Sequence, residues 1–365
     1  MKRILGIIVV VALVGTIVAG CGQKTEPPKT EPAKTQAPGP EAKKFKVGMV
    51  TDVTGLAGSK ENKSFQDLAW DGLQKAKSEL GVETTVVESR EVADLVPNLR
   101  KLADQKYDLI VGVGFLFTDA ITDVSKQYPG IKFAIIDSVV NAPNVVSYVF
   151  KEEEGSFLAG ALAAGMTSQK SDKTNDKKVI GFVGGMDVPL IQKFEAGYIA
   201  GAKTIDPSVQ VLSAYAGSFD DPGKGKELTL NMYNKGADIV YHAAGITGLG
   251  TIQAAKEKNF WAIGVNNDQY SVAPGFVLAS MIKGVEVATF EAAKSVVKGS
   301  FKGGVVVLDT KAGGIDLGGL DHVKGQIPDG LLKKIANLKQ MIIEGKFKVP
   351  TTLDEAKKFT PPTGF

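Results

Sequence analysis

Cysteine, histidine and tryptophan are scarce in this 365-residue chain, which has one, two and two of them respectively. A single cysteine rules out an internal disulfide framework and any cysteine-based metal cluster. Two histidines, His242 and His322, argue against zinc hydrolases and against most imidazole acid–base chemistry. No dense lysine–arginine face with interleaved aromatics occurs. The net charge is only +3 with the signs mixed along the chain, so nucleic acid is not an expected partner. Hydrophobic residues at 44% and charged residues at 23% are ordinary globular composition.

The first residues are of a different kind. Lys2 and Arg3 precede an almost unbroken apolar run, Ile4 to Val18. The run is shorter than the roughly 20 apolar residues a spanning helix needs, but it suits the core of a cleaved export signal. Val18-Ala19-Gly20-Cys21 follows, and Cys21 is the sole cysteine. This order resembles the lipobox of bacterial lipoproteins, in which the cysteine is lipidated and becomes the mature N-terminus. The resemblance implies a signal peptide over residues 1–20, lipid (palmitate) on Cys21, and a protein held on the extracytoplasmic face of the cell membrane by lipid alone. A plain secretory signal with an incidental cysteine is the weaker alternative. Residues 21–44 are rich in Pro, Lys, Glu and Thr and lack large apolar side chains. They cannot bury enough surface to offset their ordering entropy, and read as a spacer extended by its prolines.

What remains is roughly 320 residues, too long for one core and natural for two domains. From Lys46 the pattern alternates. FKVGMVTDV, VETTVVES, YDLIVGVG and IKFAIIDSVV read as strands, and helical spacing covers Ser64–Leu80, Val92–Ala103 and Thr118–Gln127. This is the pattern of a parallel sheet covered on both faces. It restarts after the helix Glu153–Met166, whose small residues (GSFLAGALAAG) suggest close helix packing. Strands VIGFVGG, VQVLSAYAG, ADIVYHAAG and FWAIGVNND then alternate with helices Pro189–Lys203, Lys226–Lys235 and one ending near Lys258. GFVLASMIK, helix Val285–Val297, strand GGVVVLDT and helix Pro328–Glu344 complete the chain. The expected lobes are 45–150 with about 270–300, and 151–269 with about 301–325, leaving 326–365 as a C-terminal helix and tail.

In open α/β sheets ligands bind beyond the carboxyl ends of the strands. Asp52, Asp119, Asp137, Phe219, Gly245, Gly248, Asn266, Asn267, Asp268 and Lys283 fall there. Asp119 opens a helix and is better read as a cap. Asp52 and Asp268 lie too far from the next helix for simple capping, and Asp137 fits either role. Phe65 fits the core face of the first helix as well as a site. Phe219 sits in the polar loop GSFDDPGKG, with little core to fill, which favours a stacking role. AAGITGLG lacks the order of a phosphate-binding loop and reads as a tight turn that lets backbone approach a ligand.

The segments VGMVTDV, NKSFQDLAWDG, FAIIDSVV, NVVSYVFKEEEGSFLAGALAA, IGFVGGMDVP, FEAGYIAGAK, GADIVYHAAGITGLG, GVNNDQY and LASMIKGVEVA together resemble the basic membrane protein family of bacterial lipoproteins. These are substrate-binding proteins of ABC transporters that take up purine nucleosides. The resemblance runs from about Lys46 to Glu344. It implies an α/β type I periplasmic-binding-protein fold, two doubly wound lobes joined by a hinge. It also implies a purine nucleoside ligand (adenosine, guanosine or inosine), no cofactor, an ABC permease and ATPase as partners, and a monomer. Carried over by position, Asp52 corresponds to the first-strand aspartate, and Phe65 and Phe219 to two aromatic walls for the base. Asp137 and Asp268 correspond to acids holding ribose hydroxyls and a base edge, Gly245 to the close-approach backbone position, and Lys283 to the binding lysine. The chain departs from the family where D-x-S-F-N-Q becomes Asn62-Lys63-Ser64-Phe65-Gln66-Asp67, with Gln66 in place of Asn and expected among the ligand-binding residues. It departs again where D-x-D-Q becomes Asn266-Asn267-Asp268-Gln269.

A solute receptor without catalytic activity explains the leader, spacer, paired lobes and strand-end acids. A sensor on the same fold, signalling to a membrane partner, is the alternative. An exported nucleoside hydrolase with calcium-binding aspartates is disfavoured, because the acids are spread over separate strand ends.

Overall fold

The computed structural model describes residues 43–58 and 64–365. The expected signal peptide, Cys21, nearly all of the expected tether, and Asn62 and Lys63 lie outside the described residues. In chain order the elements are β1 (Lys46–Val50), α1 (Phe65–Leu80), β2 (Glu83–Val87), α2 (Leu95–Asp104), β3 (Leu109–Val113), α3 (Thr118–Gln127), β4 (Lys132–Ile136) and β5 (Val145–Phe150). Next come α4 (Glu152–Thr167), β6 (Val179–Gly184), α5 (Pro189–Ile205), β7 (Gln210–Tyr215), α6 (Pro222–Asn234), β8 (Ala237–Ala243), α7 (Leu249–Lys258), β9 (Trp261–Asn266) and β10 (Val277–Lys283). The chain ends with α8 (Val285–Val297), β11 (Gly304–Leu308), β12 (Ile315–Gly318), α9 (Asp329–Ile343) and α10 (Leu353–Lys358).

Two six-stranded sheets result, ordered β2-β1-β3-β4-β5-β11 and β7-β6-β8-β9-β10-β12. Among the described residues the β10–β12 pairing is antiparallel and the others are parallel. The central strands β3 (LIVGV) and β6 (VIGFVG) are buried throughout, as a sheet covered on both faces requires. Strand order reverses between β1 and β3 in one sheet and between β6 and β8 in the other. These are the switch points where a ligand crevice opens. At the first of them Ser64 caps α1. Its hydroxyl accepts from Asp67 N (3.1 Å), and the Asp67 carboxylate accepts in return from Ser64 N (2.7 Å), a reciprocal capping box. The cap fixes where α1 begins and so where Phe65 stands.

The lobe boundaries differ from those expected. β10 belongs to the second sheet and β11 to the first. α8 returns to the first lobe and packs on α1, where the Thr289 hydroxyl donates to Ala69 O (2.9 Å). The chain therefore crosses between lobes at Lys151, at Gly284 and again between Asp309 and Gly314. The first lobe takes residues 284–308 rather than 270–300, and the second takes 151–283 and the segment from β12 onward. Residues 326–365 are not a free tail. α9 packs on α4 and α10 on α5, the Phe157 ring meets Phe347 and Phe359, and Lys203 Nζ donates to Phe359 O (2.8 Å). β5, β12 and α10 were not expected from the sequence. β5 follows β4 without a helix between them, a parallel pairing that periodicity alone does not announce.

The small residues of α4 serve close packing, as expected. A Cβ on Gly201 of α5 would stand 1.9 Å from Phe157 O, and one on Gly160 of α4 2.0 Å from Tyr198 O. Backbone faces backbone, so no flexible side chain can yield. Gly201→Ala gains about 1 kcal/mol of helix propensity, but overpacking of this kind typically costs about 1–3 kcal/mol, occasionally more. The clash with a main-chain carbonyl puts this site at the upper end, so a melting temperature several degrees lower is expected. An unchanged melting temperature would mean that the helices separate without penalty.

Candidate ligand-binding cleft

The carboxyl ends of both sheets open into a cleft walled by both lobes. The first lobe contributes Asp52, Thr54, Ser64, Phe65, Gly114, Phe115 and Asp137 to its walls. The second lobe contributes Leu190, Ile191, Phe194, Phe219, Gly245, Asn266 and Lys283, among others. Of the eight expected binding residues, Asp52, Phe65, Asp137, Phe219, Gly245 and Lys283 line this space, and Gln66 and Asp268 do not.

Two rings come from opposite lobes. Phe65 is the first residue of α1. Phe219 lies against Gly185, where a Cβ would stand 2.2 Å from the ring, so the glycine gives the ring its seat. The Phe219 loop is pinned by Thr247, whose backbone N–H donates to Phe219 O (3.0 Å) and whose hydroxyl donates to Ser218 O (3.2 Å). Gly245, at φ 57, makes the tight turn expected of it. A Cβ there would be strained and would stand 3.2 Å from Phe219 O. Phe115 touches Phe219 edge-on across the cleft, with centroids 6.4 Å apart.

The polar end of the cleft is a buried ion pair. Asp137 follows β4 in a left-handed backbone conformation, φ 68. Its N–H donates to Tyr148 O (2.9 Å), and its Oδ2 accepts from Lys283 Nζ (2.6 Å). Its Oδ1 is buried without a partner. Burial pushes the Asp137 carboxyl above the usual range, with the Lys283 ammonium opposing. Lys283 is 2% exposed. It donates a second hydrogen bond to Glu152 Oε1 (3.0 Å) and stands 5.3 Å from the centre of the Phe65 ring. Asp52 Oδ1 accepts from Thr54 N (2.9 Å) and the Thr54 hydroxyl (2.6 Å). Burial raises its pKa, and bonds from Thr54 and Gln66 oppose the shift.

Gln66 is a support, not part of the wall. Fully buried, it donates from Nε2 to Val113 O (3.0 Å) and ties the start of α1 to the end of β3. The helical period explains the misplacement, because Phe65 and Gln66 are adjacent and cannot both face the cleft. Asp268 is corrected too. Its Oδ1 accepts from Tyr270 N (3.0 Å), and its Oδ2 meets His322 Nε2 (2.8 Å), with His322 stacked on Tyr270. Asn266 ends β9 at φ 71 and lines the cleft instead. The left-handed turn there, a conformation Asn tolerates, sends the following residues away from the opening. Phe115 and the α5 residues Leu190, Ile191 and Phe194 were missed. Phe115 follows β3 at the switch point, a signal that could have been used. The α5 residues carry ordinary core spacing.

His242 braces the Asn266 turn from behind. Its Nε2 pairs with Gln269 Oε1 (3.0 Å), and that oxygen also accepts from Val265 N (2.9 Å). Burial lowers the imidazole pKa to about 4 from 6.5, with the Gln269 bond opposing. The folded state keeps His242 neutral while the unfolded chain takes up a proton below pH 6.5. Its contribution is therefore complete above that pH and is lost as the pH falls toward 4. Buried Glu153 and Asp238, raised to about 7 and about 6, act in the opposite direction. The check is therefore a comparison with His242→Gln. Between pH 7 and 4.5 the wild type should lose about 2 kcal/mol more unfolding free energy than the variant. Parallel curves would remove His242 from this account.

A family model described as ABC transporter substrate-binding protein PnrA-like matches residues 45–352. The chain belongs to this family. A relative in Lactococcus lactis, an ABC transporter nucleoside-binding protein BmpA, is 35% identical over 96% of this chain and 99% of its own length. A lipoprotein of Pyrococcus abyssi is 38% identical over 86% of this chain and 76% of its own length. Among solved structures, an ABC transporter solute-binding protein from Aeropyrum pernix superposes with a TM-score of 0.78. It is 31% identical and covers 86% of this chain and 96% of that one. The fold is that of type I periplasmic solute-binding proteins, as the resemblance implied. PnrA-like proteins are substrate-binding components of ABC transporters. Among the described residues there is no cluster of three or more His, Cys, Asp or Glu suited to a metal ion, and no helix long and apolar enough to cross a membrane.

Proposed function

We propose that this protein is a lipid-anchored receptor on the extracytoplasmic face of the membrane, that it captures a purine nucleoside between its lobes, and that it delivers it to an ABC permease and its ATPase as a non-catalytic monomer. One observation carries the reading. Phe65 and Phe219, from opposite lobes, border a cleft at whose end Asp137 holds a buried carboxylate oxygen without a partner. A purine is a flat plate that two phenyl rings bracket. Ribose hydroxyls are donors suited to that oxygen, and a bond to a carboxylate contributes about 1.5–3 kcal/mol. Asn266 offers both a donor and an acceptor to a base edge, and Lys283 has a third N–H. The nucleoside-binding relative and the lipoprotein relative support ligand class and anchoring.

A thermal-shift screen of residues 45–365, unfolded and refolded to strip bound ligand, tests the proposal. A hundredfold excess of ligand over its dissociation constant adds about 2.7 kcal/mol. Adenosine, guanosine or inosine should raise the melting temperature and free ribose should not. Shifts only with sugars or amino acids would overturn the nucleoside reading.

A further inference from the structure

α4 opens with Glu152, Glu153 and Glu154, all buried and none in the cleft wall. They sit at the first crossover and reach the other two. Glu154 Oε2 accepts from Thr310 N (2.9 Å), and its Oε1 meets Lys151 Nζ (3.1 Å), which also pairs with Asp309 (3.1 Å). Glu152, 0% exposed, accepts from Lys283 Nζ (3.0 Å) and from Lys193 Nζ (2.6 Å). Lys193 also lies 3.5 Å from Glu153 Oε2 and donates to Phe150 O (2.8 Å). Asp137, Glu152, Lys193 and Lys283 thus form a quartet of two negative and two positive charges. Its neutrality is what makes burial tolerable. Burial works against ionised Glu152, but the two ammonium groups outweigh it and hold its pKa below the usual range.

We propose that Glu152 is a positioning residue for ligand capture: by holding one N–H of Lys283 within the second lobe, it leaves Asp137 a free carboxylate oxygen and leaves Lys283 one N–H for the ligand. The inference rests on the nucleoside reading of the cleft. An ammonium has three donors. Asp137 Oδ2 takes one and Glu152 takes another. The rings of Phe65, Phe150 and Phe194 also stand beside it, with centres 4.7–5.6 Å away, and attract the charge but accept no strong hydrogen bond. Without the Glu152 carboxylate, Lys283 turns its freed donor to the partnerless Oδ1 of Asp137, on the carboxylate it already bonds. The ligand then loses that oxygen although every residue of the wall is intact. Glu152 and Lys283 share a lobe while Asp137 belongs to the other, so the Glu152 bond does not depend on how far the lobes have closed.

The test measures dissociation constants for adenosine, guanosine and inosine, and for their 3′-deoxy forms, by calorimetry. The proteins are wild type, Glu152→Gln, Lys283→Met and the double variant. Glu152→Gln should weaken ribonucleoside binding about tenfold or more and narrow the preference over the 3′-deoxy form. The double variant should bind no worse than Lys283→Met alone, the non-additivity expected of one unit. Losses that multiply, or wild-type affinity in Glu152→Gln, would overturn the proposal. A lower melting temperature with unchanged discrimination would mark a structural role only and also overturn it. If Glu152→Gln does not fold, Glu152→Asp keeps the charge but is too short to span both lysines, and wild-type affinity there counts against the proposal. A second readout needs no ligand. Acetylation of Lys283, followed by mass spectrometry, should be slow in the wild type and faster in Glu152→Gln. If the wild type binds none of these nucleosides, the functional reading falls and the acetylation rates still decide the positioning; equal rates would overturn it.

Discussion

Asp137→Asn should weaken ribonucleoside binding by about two- to thirtyfold and lower the melting temperature, because it takes one of two negative charges from the buried cluster around Lys283. Asparagine has nearly the same shape and is among the few residues that accept the left-handed backbone at position 137, where φ is 68. The fold is therefore expected to survive. What is lost is charge. The unpartnered Oδ1 becomes half of a neutral amide, and a charge-assisted bond worth about 1.5–3 kcal/mol falls to an ordinary one near 1 kcal/mol. Lys283 also keeps only one anionic partner, Glu152 (3.0 Å). A ligand lacking the hydroxyl that meets Asp137 should bind wild type and variant alike. If the variant loses equal affinity for ribosides and deoxyribosides, Asp137 does not read the sugar.

Phe219→Ala should cost about tenfold to a hundredfold in purine nucleoside affinity, since stacking a base on an aromatic ring is worth about 1–3 kcal/mol. The half-buried ring lies in a loop against Gly185, and the loop keeps its Thr247 bonds (3.0 and 3.2 Å), which do not use the ring. Stability should change little. Calorimetric titration with the same nucleosides is the check, and unchanged affinity would remove the stacking wall. Phe115, which meets Phe219 edge-on, should matter less, because its contact is with the other ring.

The order of strands and helices was legible because a buried parallel strand and an amphipathic helix each impose a local period on the chain. Val285–Val297 is a helix with the expected bounds. The carboxyl ends of the strands were legible for the same reason, and with them Asp52, Asp137, Phe219 and Lys283 as residues that could meet in one place. Their meeting needed the sheets. Which lobe receives β10 and which receives β11 depends on pairing with strands far away in sequence, β9 and β5, and nothing local in GFVLASMIK or GGVVVLDT encodes it.

The choice between Asn266 and Asp268 was equally closed to the sequence. Composition favours the acid, but a positive φ at Asn266 turns the chain, so the amide lines the cleft and the acid meets His322. Gln66 is sent inward by its place beside Phe65 on the same helix. Sequence by itself determined most of the elements and a shortlist of polar and aromatic residues, since these follow from local composition and period. Only the tertiary structure decided the lobe membership, the buried Asp137–Lys283–Glu152–Lys193 quartet and the orphan oxygen it leaves. Those depend on which distant groups share a low-dielectric space, and burial there makes every unpaired charge costly enough to fix its neighbours.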